Sequence, residues 1–487
     1  MSVSLIGLTA NFFLERDLLQ KWSTIKKKKY LPIVLSGLFL VELIWLPFSE
    51  DIFIGLNVLR IKLPLLLLPI IIGSTPSLSK KELKIVVITY FAGLLVSTIW
   101  VYLVSVDLLT TTKNSGTVRD ASVFMSHIRY SILLSFSIMF LIYLSIKANL
   151  NKVLSSVLLI WLVFILFKLA TLTAICGLFV AILSCLPFLL KNNKNIYNKQ
   201  LLTVIVIFII SAIAYLTHTV KDFYLVKNEK RSSKKESVKG EKYLNDLNDH
   251  TTENGYYLWE NIAPIELEKA WNNRSNLLFR GLDHKGQMLK ATIYRFLTSK
   301  GLDKDSAGLS QLSNKEIALI ESGETSFIHY NNLEKRIRSF LYEQENLKKS
   351  KDPNNQTTNQ RKEFWKVGMS ILSENQVFGY GPGGVKKEYK KYYKKSSTLL
   401  LPKNQLLAHN QFLTQAINLG ILGFLMWTAI LLYSFMRIKK DIKMLFVSYA
   451  VLMFFAFMSD DMLEVQAGVT IFSFFGTMMV FYNPDFA

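Results

Sequence analysis

The sequence predicts an all-α polytopic membrane protein of about ten transmembrane helices, with one large, mostly helical insert between the seventh and eighth. Three observations predict it. Of 487 residues, 51% are hydrophobic and only 19% charged. Apolar runs of about 18 residues, the length a helix needs to cross hydrocarbon, recur along the chain. Lysines and arginines gather in alternate short loops between those runs. A mean hydropathy of +0.27 excludes disorder, collagen-like repeats and a disulfide scaffold. Cys176 and Cys185 lie inside apolar sequence, with neither metal-ligand spacing nor a secreted-domain framework.

The runs fall near 30–48, 56–74, 85–106, 130–147, 152–169, 170–189, 200–217, 412–435, 443–459 and 466–483. The first begins too late, with too many spans behind it, for a cleavable signal peptide. The second contains Arg60, Lys62 and two prolines, which blurs its start. Residues 152–189 form one long run, divided into two helices around Thr171 and Thr173. Lys26–Lys29, the KKELK segment at 80–84, Lys147 with Lys152, Lys191 with Lys194 and Lys199, and RIKKDIK at 437–443 fall on one side if the spans alternate. The opposite short loops, SED at 49–51 and SDDMLE at 459–464, are acidic. The expectation is a multi-pass protein with both termini cytoplasmic and the large loop on the outer side of the membrane. Its regions are then 1–217 with seven spans, 218–411 outside, and 412–487 with three.

The net charge of +21 comes from 57 basic and 36 acidic residues. A surplus of that size invites a nucleic-acid partner, but the loop lysines account for much of it as a topology signal, and no nucleic acid is expected. Residues 218–410 keep 33 basic against 23 acidic residues, a surplus of ten. Long translocated domains escape the positive-inside rule, so this part requires an anionic partner or a solvated face.

Within the insert, 227–255 is polar and poorly patterned. Residues 262–300 read as helical, with Leu289, Ile293, Phe296 and Leu297 forming a stripe and Gly301 a C-terminal cap. Ser313 and Glu316 form a capping box that opens a helix to about Ser322. A further helix is expected over 330–347, a linker over 349–360, and a helix from Arg361 to about Glu374. GYGPGG and the basic-aromatic run VKKEYKKYYKK follow. No strand pattern and no fixed-period repeat is apparent.

His409 and Asn410 stand at the mouth of the eighth span. A histidine there is a natural proton acceptor near neutral pH, or simply an interfacial polar residue capping the helix. Arg361 can fork onto pyrophosphate oxygens, or remain a solvated arginine, with Trp365 one turn further on. Arg129, beside His127 at the end of the fourth span, is either functional or snorkelling to the interface. Gly379, Gly381 and Gly384 satisfy GxGxxG in letters only. No strand precedes them and Pro382 interrupts, so the segment is a turn whose backbone N–H groups could approach phosphate. Asp303-Lys304-Asp305 resembles a metal-binding DxD by coincidence of letters. Arg274, Arg280 and Arg295 add basic groups, and the lysines at 386–395 face solvent or anionic headgroups.

Together these segments resemble the O-antigen ligase and polymerase superfamily of bacterial membrane glycosyltransferases. The resemblance rests on AHNQFLTQAINLGILGFL at 408–425, with its His-Asn, glutamine and Gly-Ile-x-Gly. It rests also on RKEFWKVGMSILSENQVFGYGPGG at 361–384, an Arg-x-x-x-Trp helix leading to a Gly-x-Gly turn. SHIRYSILL at 126–134, LKATIYRFLTSKGLDKD at 289–305 and SDDMLEVQAGVTIFSFF at 459–475 look like a Bacteroidetes-type branch.

The resemblance implies transfer of a preassembled glycan from undecaprenyl pyrophosphate at the outer, periplasmic face of the bacterial inner membrane, without metal, nucleotide or other cofactor. The acceptor is lipid A-core in ligases, another carrier-linked glycan in polymerases, or a protein hydroxyl in a third branch. It carries the base onto His409 and a pyrophosphate-binding role onto Arg361, with Asn410, Trp365, Gly379 and Gly381 in support. Many members place an arginine in a Ser-Arg-Thr-like turn between two mid-chain spans. Here that turn reads LATLTAICG at 169–177, with no arginine. Arg129, Arg280 and Arg295 are the candidates to replace it. The alternative of another class is a transporter with an outer ligand-binding domain. It fits poorly with seven spans before the insert and three after, because transporters tend to show two similar halves.

Overall fold

Proline, capping side chains and apolar composition divide the chain into helices whose order follows the hydropathy. A computed structural model describes residues 3–481 apart from 77, 107, 110–121, 123–124, 149, 192–195, 228–229, 233, 350–352, 355–356 and 397. Lys194 and part of the expected linker at 349–360 therefore lie outside the described residues. The protein is an all-α polytopic membrane protein.

The first ten helices are α1 (Val3–Leu14), α2 (Leu18–Lys27), α3 (Leu31–Ile44), α4 (Ile52–Lys62), α5 (Pro64–Ser74), α6 (Lys80–Ser105), α7 (His127–Lys147), α8 (Lys152–Leu169), α9 (Leu172–Lys191) and α10 (Ile196–Tyr224). The second apolar run is two helices, not one. Pro64 has no N–H to donate and sits at the first position of α5, so the chain restarts there. Ser79 and Glu82 cap α6 reciprocally, and Asn151 caps α8. The long run at 152–189 divides at Ala170, whose φ of +48° turns the chain between α8 and α9.

Eight helical segments are long and apolar enough to cross a membrane among the described residues. The expected spans at 170–189 and 466–483 fall on the apolar helices Leu172–Phe188 and Gln466–Phe481, lengths that count the described residues alone.

The remaining helices are α11 (Pro264–Asn272), α12 (Leu289–Ser299), α13 (Ser306–Ser310), α14 (Asn314–Glu321), α15 (Asn332–Lys349), α16 (Thr357–Glu374), α17 (Gly384–Lys395), α18 (Gln411–Met436), α19 (Lys443–Ser459) and α20 (Gln466–Phe481). The chain divides into two compact units, one comprising 1–112, 117–205 and 350–487, the other 113–116 and 206–349. The boundary differs from the one hydropathy draws at 218–411, because α16 and α17 pack on α18. Phe364, Val367, Ile371, Val385, Tyr389 and Tyr393 share a core with Leu413 and Ile417. Elsewhere in this unit α19 lies against α7 and α9, and α5 against α3 and α20.

The second unit has its own core of Leu267, Trp271, Phe279, Ile293, Phe296 and Leu309, among others. The stripe expected on α12 is in it, and Gly301 follows the helix at φ +71° as a cap. The capping box on α14 is present in both directions. The stretch 262–300 is not continuous helix, since residues 273–288 turn between α11 and α12. Arg274 donates there to the carbonyls of Leu309 and Leu312. A two-stranded hairpin, Thr252–Glu253 with Tyr256–Tyr257, was not legible because each strand has two residues.

Candidate functional site

Asn410 caps α18, its side chain accepting from the Leu413 N–H at 3.2 Å. His409 is the residue before the cap and takes a left-handed φ of +46°, unusual for a residue with a Cβ. Asp461 holds it there. Its Oδ2 accepts the His409 N–H at 3.1 Å and its Oδ1 accepts the Thr414 hydroxyl at 2.6 Å. The strained residue is thereby tied from both sides to the turn after α19.

That turn, Ser459–Asp461, collects the other candidates. His409 Nδ1 lies 3.9 Å from Asp460 Oδ1 and 4.0 Å from Asp461 Oδ2. Arg129, in the first turn of α7, sets Nη2 2.8 Å from Asp460 Oδ2. Arg361 donates from Nη2 to the Ser459 carbonyl at 3.0 Å. Three residues from α7, α16 and the start of α18 thus converge on three consecutive residues. Both carboxylates are buried, whereas the His409 side chain is 37% exposed and can be reached. With Nδ1 toward the carboxylates, Nε2 is the nitrogen available to a proton from outside. Burial pushes the Asp461 carboxyl above its ordinary range, opposed by the Thr414 hydrogen bond and the His409 charge.

Arg361 is not at a helix start, as the sequence suggested. α16 begins at Thr357, and Asn359 is buried in its first turn. A polar TTNQ segment reads as linker by composition, and only burial against neighbours makes it helix. The longer helix sets Arg361 one turn in, with Trp365 a turn further. Trp365 Nε1 donates to the Ala408 carbonyl at 2.9 Å, and Phe364 lies 6.0 Å from the His409 ring. Both clamp the strand of chain that leads into His409.

Gly379 and Gly381 serve a second break in the same span. At Gly420 the backbone of α18 is non-helical, with φ +62° and ψ −179°. The loop before α17 supplies the missing partners. Tyr380 and Gly381 donate to the Ile417 and Asn418 carbonyls at 3.0 and 2.8 Å, and Ile421 donates to Gln376 at 2.7 Å. Non-helical backbone at membrane depth is tolerated only when protein satisfies it in this way. A Cβ on Gly379 would collide with the Gly420 backbone. Trp45 Nε1 donates to the Phe378 carbonyl, tying the same loop to the end of α3.

Beneath the turn lies a polar cluster the sequence reading missed. Lys62 is fully buried with Nζ 2.8 Å from Glu42 and 3.0 Å from Glu464. Gln415 donates to Glu42 at 2.6 Å, and Gln411 Oε1 accepts the Leu463 N–H at 2.7 Å. The cluster joins α3, α4, α18 and the segment after Asp461. Asp460 and Asp461 were also missed as site residues, having been read only as an acidic loop. Two adjacent carboxylates between apolar runs were the available signal.

Arg280 and Arg295 belong to the other unit. Arg280 is exposed and ion-paired to Glu268 at 2.9 Å. Arg295 pairs with Glu253 at 2.7 Å and stacks on Tyr342. Asp303, Lys304 and Asp305 are structural. Lys304 donates to the Glu260 carbonyl, and Asp305 caps α13. Among the described residues no group of three or more His, Cys, Asp or Glu side chains could hold a metal ion.

None of the curated proteins compared with the chain matches it. Residues 325–428, which contain α15, α16, α17, His409 and α18 as far as Thr428, match a family model described as O-antigen ligase. That match covers the segment carrying Arg361, Trp365 and His409, within a bundle of apolar helices of the expected kind. Over residues 325–428 the chain is similar to the O-antigen ligase family.

Proposed function

We propose that the protein transfers a preassembled glycan from undecaprenyl pyrophosphate to lipid A-core at the periplasmic face of the bacterial inner membrane. The observation that carries this reading is the convergence of His409, Arg129 and Arg361 on Ser459–Asp461. His409 Nε2 takes the proton of the acceptor hydroxyl. The oxygen attacks the anomeric carbon of the donor sugar, and the bond from that carbon to the pyrophosphate oxygen breaks. Its electron pair leaves on undecaprenyl pyrophosphate, and the imidazolium returns its proton to the leaving group or to solvent. Arg129 and Arg361 stabilise the charge gathering on the pyrophosphate in a partly desolvated site.

Arg129 takes the part of the arginine absent from the 169–177 turn. Two residues on from it, the Ser131 hydroxyl donates to Thr171 in that turn at 2.9 Å. A cation on α7 therefore stands beside the turn that lacks one. Arg280 and Arg295, held by glutamates in the other unit, have no part in this reading.

His409→Ala should lower transfer by about 10²–10⁴-fold, the usual worth of a positioned base, without loss of membrane insertion. The reaction is followed in liposomes containing purified protein, lipid-linked donor and lipid A-core. Normally glycosylated product from His409→Ala would sink the assignment. In cells, loss of a ligase strands long chains on the carrier. Loss of a polymerase leaves single repeats on lipid A-core, and a gel of the two lipid fractions separates these.

A further inference from the structure

Asp460 lies between Arg129 and His409, ion-paired to the first and short of hydrogen-bond reach of the second. Its Oδ2 is 2.8 Å from Arg129 Nη2, and its Oδ1 is 3.9 Å from His409 Nδ1. The contact with Arg129 is an ion pair without hydrogen-bond geometry. Asp460 Oδ2 and Arg129 Nε are both buried and lack a hydrogen-bond partner among the described residues. Asp461, by contrast, is pinned by the His409 N–H and the Thr414 hydroxyl. An arginine with an unused Nε beside a used Nη2 offers half of its fork, and a phosphate oxygen pair fits the whole fork better than one carboxylate oxygen does.

We propose that Asp460 is a positioning residue shared between Arg129 and His409. The donor's pyrophosphate takes Arg129 away from Asp460, and the released carboxylate closes on His409 Nδ1 to orient the ring as base. The closure needs a movement of roughly 1 Å, from 3.9 Å to an ordinary charge-assisted bond of about 2.8 Å. Binding of the donor thus switches on the base, and an empty site holds an idle one. This rests on the glycan-transfer reading above. The other titratable and charged groups around Asp460 and His409 are Asp461, Arg361 at the Ser459 carbonyl, Glu464, which acts on Asp461, and the neutral phenol of Tyr389, on which Asp461 acts.

The test uses the full-length protein in liposomes, with undecaprenyl pyrophosphate itself as the binding probe. Asp460→Asn removes the competitor for Arg129, so carrier affinity should rise about 3–10-fold while kcat falls about 10–100-fold. A merely structural role would weaken both. Asp460→Glu keeps the charge and should restore most of kcat, which separates the role from a folding defect. Arg129→Ala should weaken carrier binding. Unchanged or weaker carrier affinity in Asp460→Asn, with transfer by the wild type intact, overturns the sharing and leaves the glycan-transfer reading standing. Wild-type protein that does not bind the carrier overturns that reading itself.

Discussion

Lys304 is 3% exposed, and its ammonium is satisfied by backbone carbonyls of Tyr257 and Glu260. Burial lowers its pKa from the ordinary 10.5 to about 8, against the opposing pull of Asp303 and Glu260. The folded form therefore binds this proton more weakly than the unfolded chain, and its contribution to stability rises with pH between about 8 and 10.5. The range corresponds to on the order of 3 kcal/mol. Wild type should gain that much relative to Lys304→Met across the window, and melting curves of detergent-solubilised protein at stepped pH measure it. A constant difference would refute the burial argument. At the other notable residue, the left-handed His409 costs on the order of 1 kcal/mol that Asp461 offsets.

α18 shows how an element can be interrupted without losing its backbone bonds. An unbroken apolar run over 412–435 reads as one straight span, and the two glycines at 420 and 423 are the only local hint. The kink at Gly420 exists because the 376–381 loop offers N–H and C=O partners from outside the helix. A Cβ there would strike the Val377 carbonyl, and φ +62° with ψ near 180° is a region only glycine enters readily. Gly420→Ala should destabilise by at least about 1–3 kcal/mol, with Gly379→Ala similar and the two less than additive, since both strike the same contact. Thermal unfolding of the singles and the double reads this directly. Full additivity would mean that the loop and the kink are independent.

Across the molecule, the Glu42–Lys62–Glu464 cluster ties α3 and α4, early in the chain, to the segment after α19. Breaking a buried ion pair by removing one partner strands charge in low dielectric, at a cost of roughly 3–5 kcal/mol. Lys62→Met should lose that much, and adding Glu42→Gln should recover part of it by removing one stranded carboxylate. The comparison is made by thermal unfolding in detergent. No recovery in the double variant would show that Lys62 contributes through packing and not through charge.

Hydropathy was enough to determine an all-α membrane protein, and the His-Asn and Arg-x-x-x-Trp segments lie in the stretch similar to the O-antigen ligase family, because those signals are local. Capping at Ser313, the Gly301 terminus and the break near Thr171 were legible for the same reason. TTNQ was read as linker because its helix depends on burial. Asp460, Asp461, Glu42 and Lys62 went unread as a site because a carboxylate acquires a role from the cation opposite it. Those cations come from α7, α16 and α4, far away in the chain. Only the tertiary structure decided that His409, Arg129 and Arg361 meet at one turn, since long-range packing of separate helices brings them there and no local pattern encodes it.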